Sequence, residues 1–83
     1  MWRIVKLKAL PGYRLEVEFA DGVRGVVDMS NDLWGPAYEP LKDPVYFAQV
    51  SLDEFGAPVW PNGADAAPDA IYEDLTRGKS AAR

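Results

Sequence analysis

Cysteine and histidine are both missing from this sequence. Without cysteine there are no disulfides, no thiolate metal sites and no sulfur nucleophile, a composition compatible with a reducing compartment. Without imidazole, Ser-His-Asp triads and most zinc sites are unavailable, and no unperturbed side chain changes charge between about pH 5 and 8. Long apolar runs are also lacking. Met1-Trp2-Arg3-Ile4-Val5-Lys6 is broken by charge before it reaches signal-peptide or membrane-span length, so a cytoplasmic, membrane-free protein is the expectation. No Gly-rich phosphate loop, internal repeat or low-complexity tract is present, and no cofactor or metal is implied. Ser30, Ser51 and Ser80 have no base beside them in any motif, and a non-enzymatic role is expected.

What remains is a short, aromatic-rich and acidic chain. Its 83 residues suffice for one domain, expected over 1–76 with 77–83 as a flexible basic tail. Ten aromatic side chains among them (three Trp, four Tyr, three Phe) argue for a folded core rather than a disordered segment. Formal net charge is −4, unevenly spread: residues 1–28 hold five basic and four acidic side chains, and residues 29–76 hold Lys42 against nine carboxylates. That central segment would repel a phosphate backbone, which disfavours nucleic acid as a partner unless the first hairpin supplies the contact.

Tyr13-Arg14-Leu15-Glu16-Val17-Glu18-Phe19 alternates apolar and polar residues, Ala20-Asp21-Gly22 interrupts, and Val23 to Asp28 resumes an extended pattern. Period-two alternation around Asp-Gly predicts a β-hairpin with Leu15, Val17 and Phe19 on one face. Trp2 to Ala9 reads as a preceding strand, with Val5, Leu7 and Ala9 on one face and Ile4, Lys6 and Lys8 on the other. Leu10-Pro11-Gly12 ends it, which completes a three-stranded meander. Ser30 or Asn31 is placed to cap a single helical turn, and Trp34 to Pro40 reads as an irregular loop. Asp43 followed by Pro44 marks the start of a helix of about two turns. Val50 to Asp53 and Ala57 to Trp60 form a second hairpin through Glu54-Phe55-Gly56, with Pro58 and Pro61 holding it to a sheet end. Pro68, Ile71, Tyr72 and Leu75 share one face of a last helix, with Gly78 as its stop. The fold class is therefore α+β: a mostly antiparallel sheet of about five strands with two short helices, in the order β-β-β-α-β-β-α.

The order of these signals is similar to that in the bacterial domain-of-unknown-function family 2442. The resemblance rests on Asp21-Gly22, on Leu41, Asp43, Pro44 and Phe47, on Trp60-Pro61-Asn62-Gly63 with Asp65, and on Pro68, Tyr72 and Glu73. It runs from the first strand to about Leu75. It implies a small α+β fold and little about activity. Some relatives lie beside a second small protein in a toxin-antitoxin-like arrangement, and some carry an added helix-turn-helix domain. With the chain ending at Arg83, none is expected here. Ala67 stands where a capping Ser, Thr or Asp would be usual before Pro68.

Two readings stand for Trp34 and Tyr38: a lid over the open end of the core, or an exposed aromatic patch for a partner. Trp60 is a core anchor or a stacking platform, and Asn62-Gly63 with Asp65 is a turn or a ligand-gripping loop. Asp69 and Glu73 share an open helix face, which does not gather the oxygens a hard cation needs. Trp34, Tyr38, Trp60, Asn62, Asp65 and Tyr72 make up the candidate binding surface. The leading expectation is a protein-interaction module, with another small protein or a second copy of the chain as partner. The alternatives are a small-molecule binder or weak enzyme with a pocket near Trp60, Asn62 and Tyr72, and a nucleic-acid regulator acting through the first hairpin.

Overall fold

A computed structural model describes residues 2–77. Strands β1 (Ile4–Leu10), β2 (Arg14–Phe19) and β3 (Arg24–Asp28) form an antiparallel meander, and β4 (Ser51–Leu52) pairs with β5 (Pro58–Val59) in a separate two-stranded hairpin. Between them lie a 3-10 turn over Glu39–Lys42 and the helix α1 (Pro44–Phe47), and the helix α2 (Pro68–Thr76) closes the fold. The α+β class and the element order agree with the sequence reading. The five strands divide three and two, and the 3-10 turn is an addition.

The β2–β3 turn follows from Asp21-Gly22. The Gly22 N–H donates to Phe19 O, the Phe19 N–H to Val23 O, and Gly22 takes φ +94°. That positive angle is nearly free for glycine alone, so the dipeptide sets the β2–β3 register. Leu15, Val17 and Phe19 are buried as the alternation requires.

At the start of β1 the expected faces of Ile4 and Val5 are exchanged. Ile4 is opposite Phe19 and Lys6 opposite Glu18, which leaves Val5 as an extra residue in a bulge. Ile4 therefore enters the core at 1% exposure, and Val5 turns outward at 46%. Beyond the bulge Leu7 and Ala9 keep the inward face. A bulge shifts phase by one residue, and simple alternation does not reveal it.

The core collects Ile4, Leu15, Val17, Phe19 and Val27 from the sheet with Met29, Leu33, Leu41, Phe47, Trp60 and Ile71 from everything after it. Helix α2 lays Leu75 over Gly25, where a Cβ would stand 2.7 Å from Leu75 Cδ2. Ile71 is buried, and Tyr72 and Leu75 are half-buried, as the helical spacing predicts. Ala67 caps α2 without a side-chain bond. The helix ends at Arg77, whose backbone N–H donates to Glu73 O. The expected stop at Gly78 and the rest of the expected tail lie outside the described residues.

Side-chain oxygens hold the corners. Asp21, Asp28, Asp43, Asp53 and Asn62 each accept the backbone N–H two residues on, from Val23, Ser30, Val45, Phe55 and Ala64. Asp28 thereby occupies the position expected for a Ser30 or Asn31 cap, and residues 30–32 form a turn rather than a helix. Asp43 and Pro44 do open α1, which runs for four residues before Ala48 ends it.

Candidate functional site

The six residues singled out from the sequence fall into three different settings. Trp34 is 73% exposed. Tyr38 is half-buried against the core and donates its hydroxyl to Asp65 O at 2.8 Å. Asn62 donates Nδ2 to Ala37 O at 2.8 Å and accepts the Ala64 N–H at 3.1 Å. These bonds strap the loop that carries Trp34 onto the 60–65 turn from two points. Gly35, at φ +94°, accepts the N–H groups of both Tyr38 and Glu39 and folds the loop on itself. A large indole is thus presented to solvent by a segment whose backbone is held in place.

Trp60 lies in the core at 3% exposure, with Nε1 donating to Phe47 O at 2.9 Å and its ring tilted 41° against Phe47 at 5.6 Å. It joins the second hairpin to α1. Asp65 is exposed, its backbone forming a bridge with Val59.

Tyr72 lies elsewhere, stacked on Trp2 at 4.2 Å and edge-on to Phe19 at 4.9 Å. Its hydroxyl donates to Asp21 Oδ2 at 2.5 Å. Trp2, Arg3, Phe19, Ala20, Asp21 and Tyr72 line an open concavity of about 400 Å³. The Tyr72 hydroxyl, and after it the Val23 N–H, hold the Asp21 carboxyl below its ordinary value of 3.8. The same bond pushes Tyr72 above 10.0, since ionisation would set a phenolate against a carboxylate.

The signs of these two shifts set a pH dependence. A depressed carboxyl contributes stability above its unfolded pKa and loses it as pH falls through the folded value. A raised tyrosine contributes below its unfolded pKa and loses it as pH rises through the folded value. The difference in Tm between the protein and its Tyr72→Phe variant is expected to be steady near neutrality and to shrink below pH 3.8 and again above pH 10.0. Thermal melts across that range check this; a difference independent of pH at both ends would contradict it.

The outer face of the meander, the side away from the core, forms a shallow concavity of about 750 Å³ lined by Lys6, Lys8, Glu16, Glu18 and Arg24 among others. Its charges alternate across the strands. Lys6 and Arg24 flank Glu18, Lys8 is opposite Glu16, and Arg14 is opposite Asp28. Every cation of this face thus has a carboxylate across from it. A third, largely apolar groove of about 360 Å³ lies between the β1–β2 turn and α1, lined by Leu10, Pro11, Tyr13, Pro44 and Phe47.

Sequence reasoning did not single out Val45 and Phe55, which are 72% and 70% exposed, or the Trp2–Tyr72 stack. The signal for Phe55 was its place at the tip of Glu54-Phe55-Gly56, where a side chain has little to pack against. Among the described residues no helix is long and apolar enough to cross a membrane.

A three-stranded meander, a two-stranded hairpin and two short helices around one core define a small α+β domain. The family model described as "Protein of unknown function (DUF2442)" matches residues 4–76, and the chain belongs to that family. No curated protein and no solved structure matches it.

Proposed function

We propose that this protein is a non-enzymatic protein-interaction module that engages another small protein through the loop bearing Trp34. The observation that carries the reading is a 73% exposed tryptophan on a loop fixed by the Asn62–Ala37 and Tyr38–Asp65 hydrogen bonds. Tryptophan is the residue most enriched among interface anchors, and an anchor on a backbone already held loses little entropy on binding. The surrounding segment adds negative potential from Asp32 and Asp43, near Trp34 in the chain, while Glu39 is paired with Lys42 at 3.1 Å. The partner surface that fits is an apolar pocket rimmed by lysine or arginine.

The nucleic-acid alternative needs an unbroken positive track, and the outer sheet face interleaves its cations with carboxylates. The small-molecule alternative needs one pocket shared by Trp60, Asn62 and Tyr72, whereas Trp60 is buried in the core, the Asn62 amide is bonded to Ala37 O and Tyr72 stacks on Trp2 elsewhere.

Affinity capture from native lysate with the tagged chain is expected to recover a stoichiometric small basic protein, and Trp34→Ala to weaken that capture at least tenfold. Because Trp34 is exposed, its removal should leave stability within about 0.5 kcal/mol. Absence of any stoichiometric partner, or capture undiminished in the Trp34→Ala variant, would overturn the reading.

A further inference from the structure

We infer that β3 is a self-pairing edge, through which two copies of the chain join their meanders into one antiparallel six-stranded sheet. The inference rests on the backbone of β3 and the charges beside it, independently of the Trp34 loop. In the β2–β3 ladder the Phe19 N–H donates to Val23 O and the Met29 N–H to Tyr13 O, with Val17 opposite Gly25 and Leu15 opposite Val27. Hydrogen-bonded pairs alternate along an antiparallel ladder. The odd-numbered residues of β3 thus turn their N–H and C=O groups to β2, and Arg24, Val26 and Asp28 turn theirs outward. Among the described residues those outward groups have no backbone partner. The edge of β1 is treated differently: the Ile4 N–H donates to Gly56 O, and Arg3 Nη1 to Glu54 O, so the second hairpin covers its beginning.

The sequence of β3, Arg24-Gly25-Val26-Val27-Asp28, is complementary to its own reverse. An antiparallel pairing about a two-fold axis at Val26 sets Val26 against Val26, Arg24 against Asp28, and Gly25 against Val27 of the second copy. The outward groups of Arg24, Val26 and Asp28 are then those that exchange bonds, two per pairing. On the outer face the row Lys6, Glu18, Arg24 continues as Asp28 and Arg14 of the second copy, so the sign of charge alternates without interruption across the join. A shift by one residue would move the charged side chains to the opposite face, and a shift by two would lose both Arg-Asp pairings. Edge strands that resist pairing carry charged side chains, proline or a bulge, and charges hinder self-pairing where like meets like. β3 has opposite charges at its two ends, no proline and an unbroken register.

The partner is therefore a second copy of this chain. Sedimentation velocity over a range of concentration is expected to show a mass rising from 9.2 kDa to twice that value. Amide hydrogen exchange is expected to show protection at Arg24, Val26 and Asp28 that grows with concentration, while Gly25 and Val27 are protected throughout. Val26→Pro removes the central outward N–H, which no bond among the described residues uses, and is expected to raise the dimer dissociation constant at least tenfold. Monomer mass at every concentration would overturn the inference. So would protection of the three outward amides independent of concentration, or a dimer whose dissociation constant Val26→Pro leaves unchanged. The exchange measurement on the unaltered chain decides the matter should the proline variant fail to fold.

Discussion

Replacing Gly56 by alanine is expected to cost roughly 3 kcal/mol, combining about 1–2 for a left-handed non-glycine residue with about 1–3 for overpacking. Gly56 is buried at the corner of the second hairpin with φ +81°. A Cβ there would stand 2.9 Å from Ile4 N and 3.0 Å from Ile4 O. Both are main-chain atoms of a paired strand, and they cannot swing aside as a side-chain terminus does. The hydrogen bond from the Ile4 N–H to Gly56 O would be strained at the same time, and with it the seam between the two sheets. In a domain of this size each kcal/mol moves Tm by roughly 4–8 °C, so a fall of about 10–25 °C is the expected reading in a thermal melt. Gly25→Ala is the natural control. Its close contact is Leu75 Cδ2, the end of a flexible side chain, and it needs no positive φ. A Gly56→Ala protein that melts with the unaltered one would show that the hairpin does not depend on this close approach.

Trp60→Ala is expected to destabilise the domain by about 3–5 kcal/mol, the range for deleting a large buried aromatic. The ring fills space between α1 and the second hairpin and ties the two through both a packed face and a hydrogen bond from Nε1 to Phe47 O. Trp60→Phe separates the contributions. It keeps an aromatic face against Phe47 and removes the donor, and Phe47 O retains the Val50 N–H at 3.3 Å. The loss expected for that variant is about 1 kcal/mol. Denaturant unfolding of the two variants beside Trp34→Ala orders the three effects, and equal loss from Trp34 and Trp60 would contradict the placement of both.

The contrast between those tryptophans marks where the sequence was informative. Local chemistry was legible wherever one or two residues decide it. Asp21-Gly22 sets the first hairpin, Asp43-Pro44 opens α1, and the spacing of Ile71, Tyr72 and Leu75 turns α2 onto the sheet. The bulge at Val5 was not legible, because it depends on where Phe19 and the second hairpin meet Ile4 rather than on the residue itself. The size of α1 was overread, since Ala48, where the helix ends, and Gln49 after it have nothing in their own character that stops a helix. The candidate site was legible only as a list of residue types. Trp34, Trp60 and Tyr72 look alike in composition, and tertiary partners make one an exposed anchor, one a core strut and one half of a stack. Asn62 was open to reading as a turn or a ligand-gripping loop and Tyr38 as a lid or a partner patch, and their polar ends reach the backbone of Ala37 and Asp65.

The strapped turn at Asn62 also bears on how the protein ages. An Asn-Gly pair in an open chain loses ammonia when the glycine nitrogen attacks the side-chain carbonyl carbon and closes a succinimide ring. Here the Gly63 N–H is committed to Trp60 O, and the Asn62 amide is held at both of its ends, by Ala37 O and the Ala64 N–H. Ring closure needs the Gly63 nitrogen released from Trp60 O and the Asn62 side chain turned away from Ala37 O. Isoaspartate formed at this position would accordingly be a chemical record of how often the corner springs open.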